Sequence, residues 1–289
     1  MISAIIQSMR PGQWPKNFFV LAGLLFTLDR PHPPLDYIRT ALAFIAFCVL
    51  SGSIYLVNDI LDADQDRKHP VKSQRPIASG KLSPISAWTA AGILMAIGLS
   101  GSFALEAGFG EVALIYAGLL FAYSLYLKHL VILDVMTIAA GFVLRVVGGA
   151  AVIHVSVSPW LLMCTALLAL FLGLAKRRGE LGRLEGDAAN HRVSLEHYSV
   201  PFLDQLINIT ASSAIIAYTL YTFFSKTGEL HRYLMVTLPF VLYGIFRYLM
   251  LIQKGEGIES PELLLLADKP LLVDIGLWAL ACAIIIATG

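Results

Sequence analysis

The chain has 289 residues, 57% of them hydrophobic and 14% charged, with a mean hydropathy of +0.73 and a formal net charge of +1. This composition excludes an ordinary soluble domain and gives bulk charge no claim on a strongly acidic partner such as nucleic acid. The three cysteines, Cys48, Cys164 and Cys282, each stand alone in an apolar run, offer no metal or redox spacing and read as buried, inert thiols.

The first residues show no charged segment, apolar segment and cleavage site in the order of a secretory signal. Arg10, Gln13, Trp14, Lys16 and Asn17 come next. Trp14 reads as an interfacial anchor. Lys16 and Asn17 either share that role or reach a binding site. Nine apolar runs of bilayer-spanning character follow, at about 17–29, 38–58, 84–105, 111–128, 132–153, 159–176, 201–224, 233–252 and 270–288. The first is short, which suits a tilted or interfacial segment. The runs are continuous rather than alternating, so the expected fold is an all-α integral-membrane bundle of nine helices, not a β-barrel. One domain covers 1–289. Its largest polar loops are about 58–83 and 176–200.

Fifteen of the 21 Lys and Arg residues lie in the N-terminal segment and in the loops after runs 2, 4, 6 and 8. The opposite loops hold Arg30, Arg39, Lys226 and Arg232. The positive-inside bias puts the N-terminus and both large loops in the cytoplasm, with a polar cavity opening there from a bacterial inner or plasma membrane.

The second apolar run ends in Asn58, Asp59, Asp62, Asp64 and Asp66. If the helix continues, to a stop at Pro70, then Asn58, Asp62 and Asp66 share a face and Asp59 lies beside Asp62. Carboxylates so close repel unless a cation holds them. The donors are all oxygen, which suits Mg²⁺, best of all when phosphate oxygens complete its shell. A solvated acidic cap is the plain alternative. Arg67, Lys72, Arg75 and Lys81 follow at once, with Arg75 set in an ordered turn punctuated by Pro76 and Gly80. A fixed guanidinium there suits a phosphate. Acid for a metal beside base for phosphate points to a diphosphate site on the membrane surface, with Asp59, Asp62 and Asp66 at its centre.

Tyr123, Tyr126 and Lys128 end the fourth run. The tyrosines fit an aromatic belt, and Lys128 is a candidate phosphate ligand. Arg145 and Arg247 lie within runs, where a charge is costly and points to function unless an acid neutralises it or it snorkels. The sixth run ends in Lys176, Arg177, Arg178 and Glu180, and Arg192 follows in the loop. A phosphate-and-sugar clamp and a charged collar are both open there. His154 and His231 fall on the opposite side and read as surface residues.

Asn58-Asp59-x-x-Asp62-x-x-x-Asp66 resembles the first Asp-rich motif of the UbiA superfamily of intramembrane prenyltransferases, and the nine runs fit that fold over almost the whole chain. The superfamily's second motif, Asp-x-x-x-Asp at the end of helix 6, is replaced here by Lys176-Arg177-Arg178-Gly179-Glu180. A narrower resemblance accounts for the change. Arg10-Pro11-x-Gln13-Trp14-x-Lys16-Asn17, Asp66-Arg67-x-His69-Pro70-x-Lys72-x-x-Arg75-Pro76, Lys176-Arg177-x-x-Glu180 and Ser194-Leu195-Glu196-x-Tyr198 are similar, in order, to the decaprenyl-phosphate phosphoribosyltransferases.

That resemblance implies an enzyme using phosphoribosyl diphosphate (PRPP), a polyprenyl phosphate and Mg²⁺, in cell-wall biosynthesis. Asn58, Asp59, Asp62 and Asp66 would hold the metal. Arg67, Lys72 and Arg75 would neutralise the leaving diphosphate, and Lys16, Lys128, Lys176, Arg177 and Arg192 are candidates for the 5-phosphate and the lipid phosphate. Glu180 would hold ribose hydroxyls. Asn17, Tyr126, Arg145 and Arg247 complete the candidate substrate contacts. A prenyl transferase with an aromatic or other acceptor, a transporter of phosphorylated lipid or anion, and a membrane scaffold are the competing readings. Self-association into a homo-oligomer stays open.

Overall fold

The computed structural model describes residues 1–182, 197–254, 264 and 267–288. Among them the regular elements are helical. Short helices are α1 (Ile2–Ser8), α2 (Ala22–Leu25), α4 (Ala63–Lys68) and α10 (Lys226–Leu230). The long helices are α3 (Pro34–Leu61), α5 (Pro84–Leu105), α6 (Ala107–Leu125), α7 (Leu133–Ala151), α8 (Pro159–Gly182), α9 (Val200–Phe224), α11 (Leu238–Gln253) and α12 (Lys269–Thr288).

The long helices start where the sequence says they should. α3, α5, α9 and α11 carry Pro in their first turn, where its missing N–H costs nothing. Ser83 and Ser199 accept from the backbone N–H groups of Ser86 and Phe202 at 3.2 and 3.3 Å and cap α5 and α9. Among the described residues eight helices, the 3-10 turn and helix Arg232–Gln253 counted as one, are long and apolar enough to cross a bilayer. Large apolar side chains such as Ile97, Leu114, Ile216, Phe246 and Ile284 stay exposed along them and form the lipid-facing surface. The chain is an integral membrane protein.

The expected first spanning helix, about 17–29, takes a different form. Pro11–Leu21 is a 3-10 helix with Pro15 inside it, and only Ala22–Leu25 is α-helical. Pro15 removes a backbone donor, which disfavours an α-helix over this stretch. The segment still lies antiparallel along α3. Arg10 meets Asp59, Asn17 meets Cys48, Phe18 stacks on Phe44 at 5.1 Å, and His32 meets Asp36. At roughly 2.0 Å per residue a 3-10 helix covers more length than an α-helix of equal size.

Consecutive long helices pack in sequence from α5 to α9, α3 packs on α5 and α6, and α11 packs on α9 and α12. The 3-10 helix fills the seam between α3 and α7. Lipid removes most of the hydrophobic drive for helix association, so close packing must supply it. Phe47 is fully buried and sits edge-on to Phe109 and Tyr116, with centroids 5.6 and 4.9 Å apart. Such pairs contribute about 0.5–1.5 kcal/mol beyond their area. At the 3-10 seam the backbones themselves touch. A Cβ built on Gly149 would lie 1.9 Å from the carbonyl oxygen of Val20.

Two local expectations change. The Asp-rich helix does extend to Lys68, but it breaks at Asp62 (φ −94°, ψ 4°) before α4 resumes. His231 is buried, not on the surface, and neither of its ring nitrogens has a hydrogen-bond partner among the described residues. The turn between α10 and the 3-10 helix Arg232–Thr237 folds it inward. His154 is exposed, 3.3 Å from Glu106.

Gly149→Ala should lower stability by about 1–3 kcal/mol, because the Val20 carbonyl cannot yield to a methyl group. Thermal unfolding in detergent checks this. Gly92→Ala, where the added carbon meets nothing within 4 Å, should leave the midpoint unchanged.

Candidate active site at one end of the bundle

Three groups of charged side chains occupy the interior, two at one end of the bundle and one deeper. The first is the Asp-rich end of α3. Asp59 and Asp66 are 2% and 4% exposed and share Arg75. Arg75 Nη1 donates to Asp59 Oδ1 at 3.1 Å and to Asp66 Oδ2 at 2.6 Å. Arg10 donates to the same oxygen of Asp59, and its guanidinium lies 4.8 Å above the Tyr55 ring. Arg10 reaches it from a left-handed backbone conformation, φ +53°. Beside this pair Lys128 Nζ reaches Asp62 Oδ1 at 2.5 Å, and Asn58 Nδ2 donates to Asp62 Oδ2 at 2.9 Å. The Asn58–Asp62 contact is the predicted i,i+4 face. Asp66 instead turns to Asp59, because the break at Asp62 re-aims α4.

The turn after α4 brings Arg75 in. Lys72–Gln74 is one 3-10 turn, and Gly80 closes the loop at φ +77°, a conformation that favours glycine. Arg67 takes no part: it pairs with Asp64 at 2.7 Å, and both side chains are largely exposed. Lys72 lies in the same turn, its backbone N–H donating to His69 Nδ1 at 3.2 Å.

The second group lies where α7 and α8 meet. Arg177 is 1% exposed. Its Nε donates to Asp134 at 2.7 Å, Nη1 to Glu180 at 2.6 Å and Nη2 to the Tyr123 hydroxyl at 3.4 Å. Asp134 also accepts from Tyr198 at 3.0 Å, and the Tyr198 oxygen accepts from the Ile132 N–H at 2.7 Å. Ile132 sits at φ +69° in a γ-turn closed by Leu133 N–H on Val131 O at 2.8 Å, a strained conformation for a β-branched residue. Burial pushes the Tyr198 hydroxyl up to about 12, so it remains a neutral donor.

The third group is Arg145, 6% exposed, whose Nε donates to Asn17 Oδ1 at 2.7 Å and Nη2 to the Tyr116 hydroxyl at 2.6 Å. No carboxylate among the described residues pairs with it. Arg247, the other charge inside a run, does have an acid. It forms a two-pronged pair with Asp268, both bonds 2.8 Å, which holds the Asp268 carboxyl below the usual range. That pair is a structural clamp between α11 and the start of α12.

A cavity of about 500 Å³ lies deeper, lined almost wholly by apolar side chains from the 3-10 segment, α8, α9, α11 and α12, among them Phe18, Phe19, Phe171, Tyr218 and Trp278.

The UbiA prenyltransferase family model matches residues 17–266. The chain belongs to the UbiA prenyltransferase family. It is 32% identical to a decaprenyl-phosphate phosphoribosyltransferase of Mycolicibacterium smegmatis, over 96% of this chain and 91% of that protein. It is 33% identical to one of Corynebacterium glutamicum, over 94% and 83%. Among solved structures, a UbiA homolog from Archaeoglobus fulgidus bound to GPP and Mg²⁺ superposes with a TM-score of 0.75 at 17% identity, over 99% of this chain and all of that one. The same homolog is also known bound to Cd²⁺.

The UbiA first motif here fits a divalent cation. Its donors are oxygen only, and Asp59 Oδ1 and Asp66 Oδ2 already converge on one nitrogen of Arg75. Among the described residues no three Asp, Glu, His or Cys side chains form a ready-made metal cage. Arg10, Arg75 and Lys128 hold the carboxylates instead. The structure thus brings Asn58, Asp59, Asp62, Asp66, Arg75 and Lys128 together, and Arg177 with Glu180, beside Lys176. Lys16 adjoins Asn17 in the 3-10 helix, Tyr126 is exposed as a belt residue, and Arg192 lies outside the described residues.

Arg10, Tyr116, Asp134 and Tyr198 were not singled out from sequence as site residues. Asp134 carried a signal: it is an acid at the mouth of a spanning run. Arg10 and Tyr198 stood in the motifs that carry the resemblance, but tertiary folding alone gives them their partners.

Arg177→Met should destabilise the protein by roughly 3–5 kcal/mol, since it strands the fully buried Asp134 charge. Adding Asp134→Leu should restore most of the loss in detergent unfolding; a double variant no more stable than the single would refute the pairing.

Proposed function

We propose that the chain transfers the 5-phosphoribosyl group of PRPP to a polyprenyl phosphate and releases diphosphate, in a Mg²⁺-dependent reaction at the cytoplasmic face of the membrane. The observation that carries this reading is the asymmetry between the two polar groups at that end. One offers an oxygen-only acidic face. The other offers Arg177 flanked by Glu180, where a second acidic pair would suit a second metal. PRPP has matching demands: a diphosphate that needs metal, and a 5-phosphate that needs a cation. The likeness to curated decaprenyl-phosphate phosphoribosyltransferases over nearly the full chain supports the same reading.

Asp59, Asp62 and Asp66, with Asn58, would hold Mg²⁺, which supplies charge neutralisation on the diphosphate oxygens. Arg75 and Lys128, whose acids then turn to the metal, grip the leaving diphosphate. Lys72, with Lys16 and Lys176, adds positive potential around the mouth. Arg177 receives the 5-phosphate and Glu180 accepts from ribose hydroxyls. A lipid phosphate oxygen bonds to C1 of the ribose as the C1–O bond to diphosphate breaks and its electron pair leaves with the diphosphate. The nucleophile is already anionic near neutral pH, so the protein needs no strong general base. Catalysis is then positioning and electrostatics. The first isoprene units of the lipid tail would lie in the apolar cavity, and the rest would leave through a lateral gap between helices.

The same cavity suits a prenyl diphosphate donor, and that keeps prenyl transfer to an aromatic or other acceptor as the second reading. The deciding assay uses purified protein in detergent with a polyprenyl phosphate and radiolabelled PRPP, with Mg²⁺ and with chelator. Mg²⁺-dependent label in the lipid phase is expected. No label, with turnover of a prenyl diphosphate on an aromatic acceptor, would select the second reading. In the same assay Asp62→Asn should reduce kcat at least about 100-fold, the scale of losing a preorganised electrostatic contact, while the unfolding midpoint stays within a few degrees. Wild-type rates in that variant would remove the metal role.

A further inference from the structure

We infer that Arg145 anchors a phosphate monoester, the head of the acceptor lipid, at the junction between the acidic site and the apolar cavity. The identification of that lipid as a phosphate rests on the phosphoribosyl-transfer reading. The anion requirement itself rests on geometry.

Arg145 is an Arg inside a spanning helix with no acid among the described residues to balance it. Its recorded partners are neutral: Asn17, the Tyr116 hydroxyl, and the faces of Tyr116 and Phe142 at 4.8 and 5.2 Å from the guanidinium carbon. Every other buried guanidinium or ammonium described here has a carboxylate, as Arg177 has Asp134 and Lys128 has Asp62. A buried charge without a counter-charge is expensive in lipid, and such residues mark substrate paths. Asn17 cannot relieve it, since its own amide donates to Cys48 Sγ at 3.1 Å and only its carbonyl oxygen faces the guanidinium.

The position fits a lipid head. Arg145 lies eleven residues beyond Asp134, roughly 16 Å along α7. Helical side chains lean toward the helix N-terminus, here the polar end. The guanidinium follows: its Nη1 lies 3.5 Å from where a Cβ of Gly141 would be, one turn back. No recorded hydrogen bond uses Nη1, and glycine at 141 keeps a side chain from covering it. On the other side Phe142 packs edge-on against Phe19 at 5.0 Å, and Phe18 and Phe19 line the apolar cavity. Arg145 is not in the cavity wall itself: the Phe142–Phe19 pair stands between, and a chain lying in the cavity would bring its head group to Arg145 past that pair, below the carboxylates that would hold the donor.

The test compares binding of farnesyl phosphate, farnesol and Mg·PRPP to full-length protein in detergent, by thermal shift and calorimetry. Wild type should prefer farnesyl phosphate to farnesol by at least about 10-fold. Arg145→Gln should weaken farnesyl phosphate roughly 10- to 100-fold, the scale of a lost charge-assisted bond, and leave farnesol and Mg·PRPP unchanged. Equal loss of both lipids would make Arg145 a packing residue and overturn the inference. Loss of Mg·PRPP alone would assign it to the 5-phosphate and overturn it too. If Arg145→Gln does not fold, Arg145→Lys decides: it keeps the charge but loses the fork, and should weaken farnesyl phosphate selectively, whereas unchanged affinity refutes the anchor. Wild-type selectivity for farnesyl phosphate without any transfer from PRPP would sink the parent reading while sustaining the anchor.

Discussion

Every charge carried into this bundle has to be answered inside it, because lipid offers neither water nor counter-ions. Three answers appear. Arg177 is surrounded by Asp134, Glu180 and the Tyr123 hydroxyl, and is sealed almost completely. Asp59, Asp62 and Asp66 are held by Arg10, Arg75 and Lys128 at the open end. Arg145 has, among the described residues, only dipoles and ring faces. In the sealed group Asp134 is the fixed partner, whereas Glu180, 29% exposed, can give up Arg177 Nη1 to a phosphate on the phosphoribosyl-transfer reading. The open cluster is paired through single shared nitrogens, which leaves its oxygens able to change partner. The unanswered charge has capacity to spare.

The membrane class, eight of the long helices and the first acidic motif were legible because their causes are local. An apolar run of about twenty residues has few alternatives to a helix. Asn58 and Asp62 met because i,i+4 spacing brings them together whatever lies around. The segment before α3 was less legible. Its hydropathy reads as a span, but Pro15 and the backbone contact at Gly149 impose a 3-10 helix that hydropathy cannot see. Arg247 and Arg145 look alike in sequence, each a lone cation in an apolar run. Only the fold separates them, by bringing Asp268 to one and, among the described residues, no acid to the other. Arg10 and Tyr198 stand in motifs that carry the family resemblance, but their long-range partners, Asp59 and Asp134, are visible only in the fold.

The 3-10 segment does more than fill a seam. It carries Arg10 to the Asp-rich cluster, Asn17 to Arg145, and Phe18 and Phe19 to the cavity wall. Its longer rise per residue lets a short stretch serve all three depths. The close backbone approach at Gly149 fixes its register against α7, which itself carries Asp134 and Arg145. Two elements therefore set the spacing between all three polar groups. A shift at that seam would be felt at the site without altering any residue in it.

Charge balance explains why the pairing at the open end suits a phosphate donor. Asp59, Asp62 and Asp66 are matched one for one by Arg10, Arg75 and Lys128, so the cluster is close to neutral and stable as it stands. A metal alone would have to compete with three cations, and a phosphate alone with three carboxylates. A metal and a diphosphate arriving together face neither contest. Asp59, Asp62 and Asp66 would hold the metal while Arg75 and Lys128 would hold the phosphate oxygens, so that each charge would keep a partner. On the phosphoribosyl-transfer reading this partner exchange makes binding of metal and donor mutually dependent. The internal ion pairs then hold the empty site together and also provide the contacts that the donor takes over.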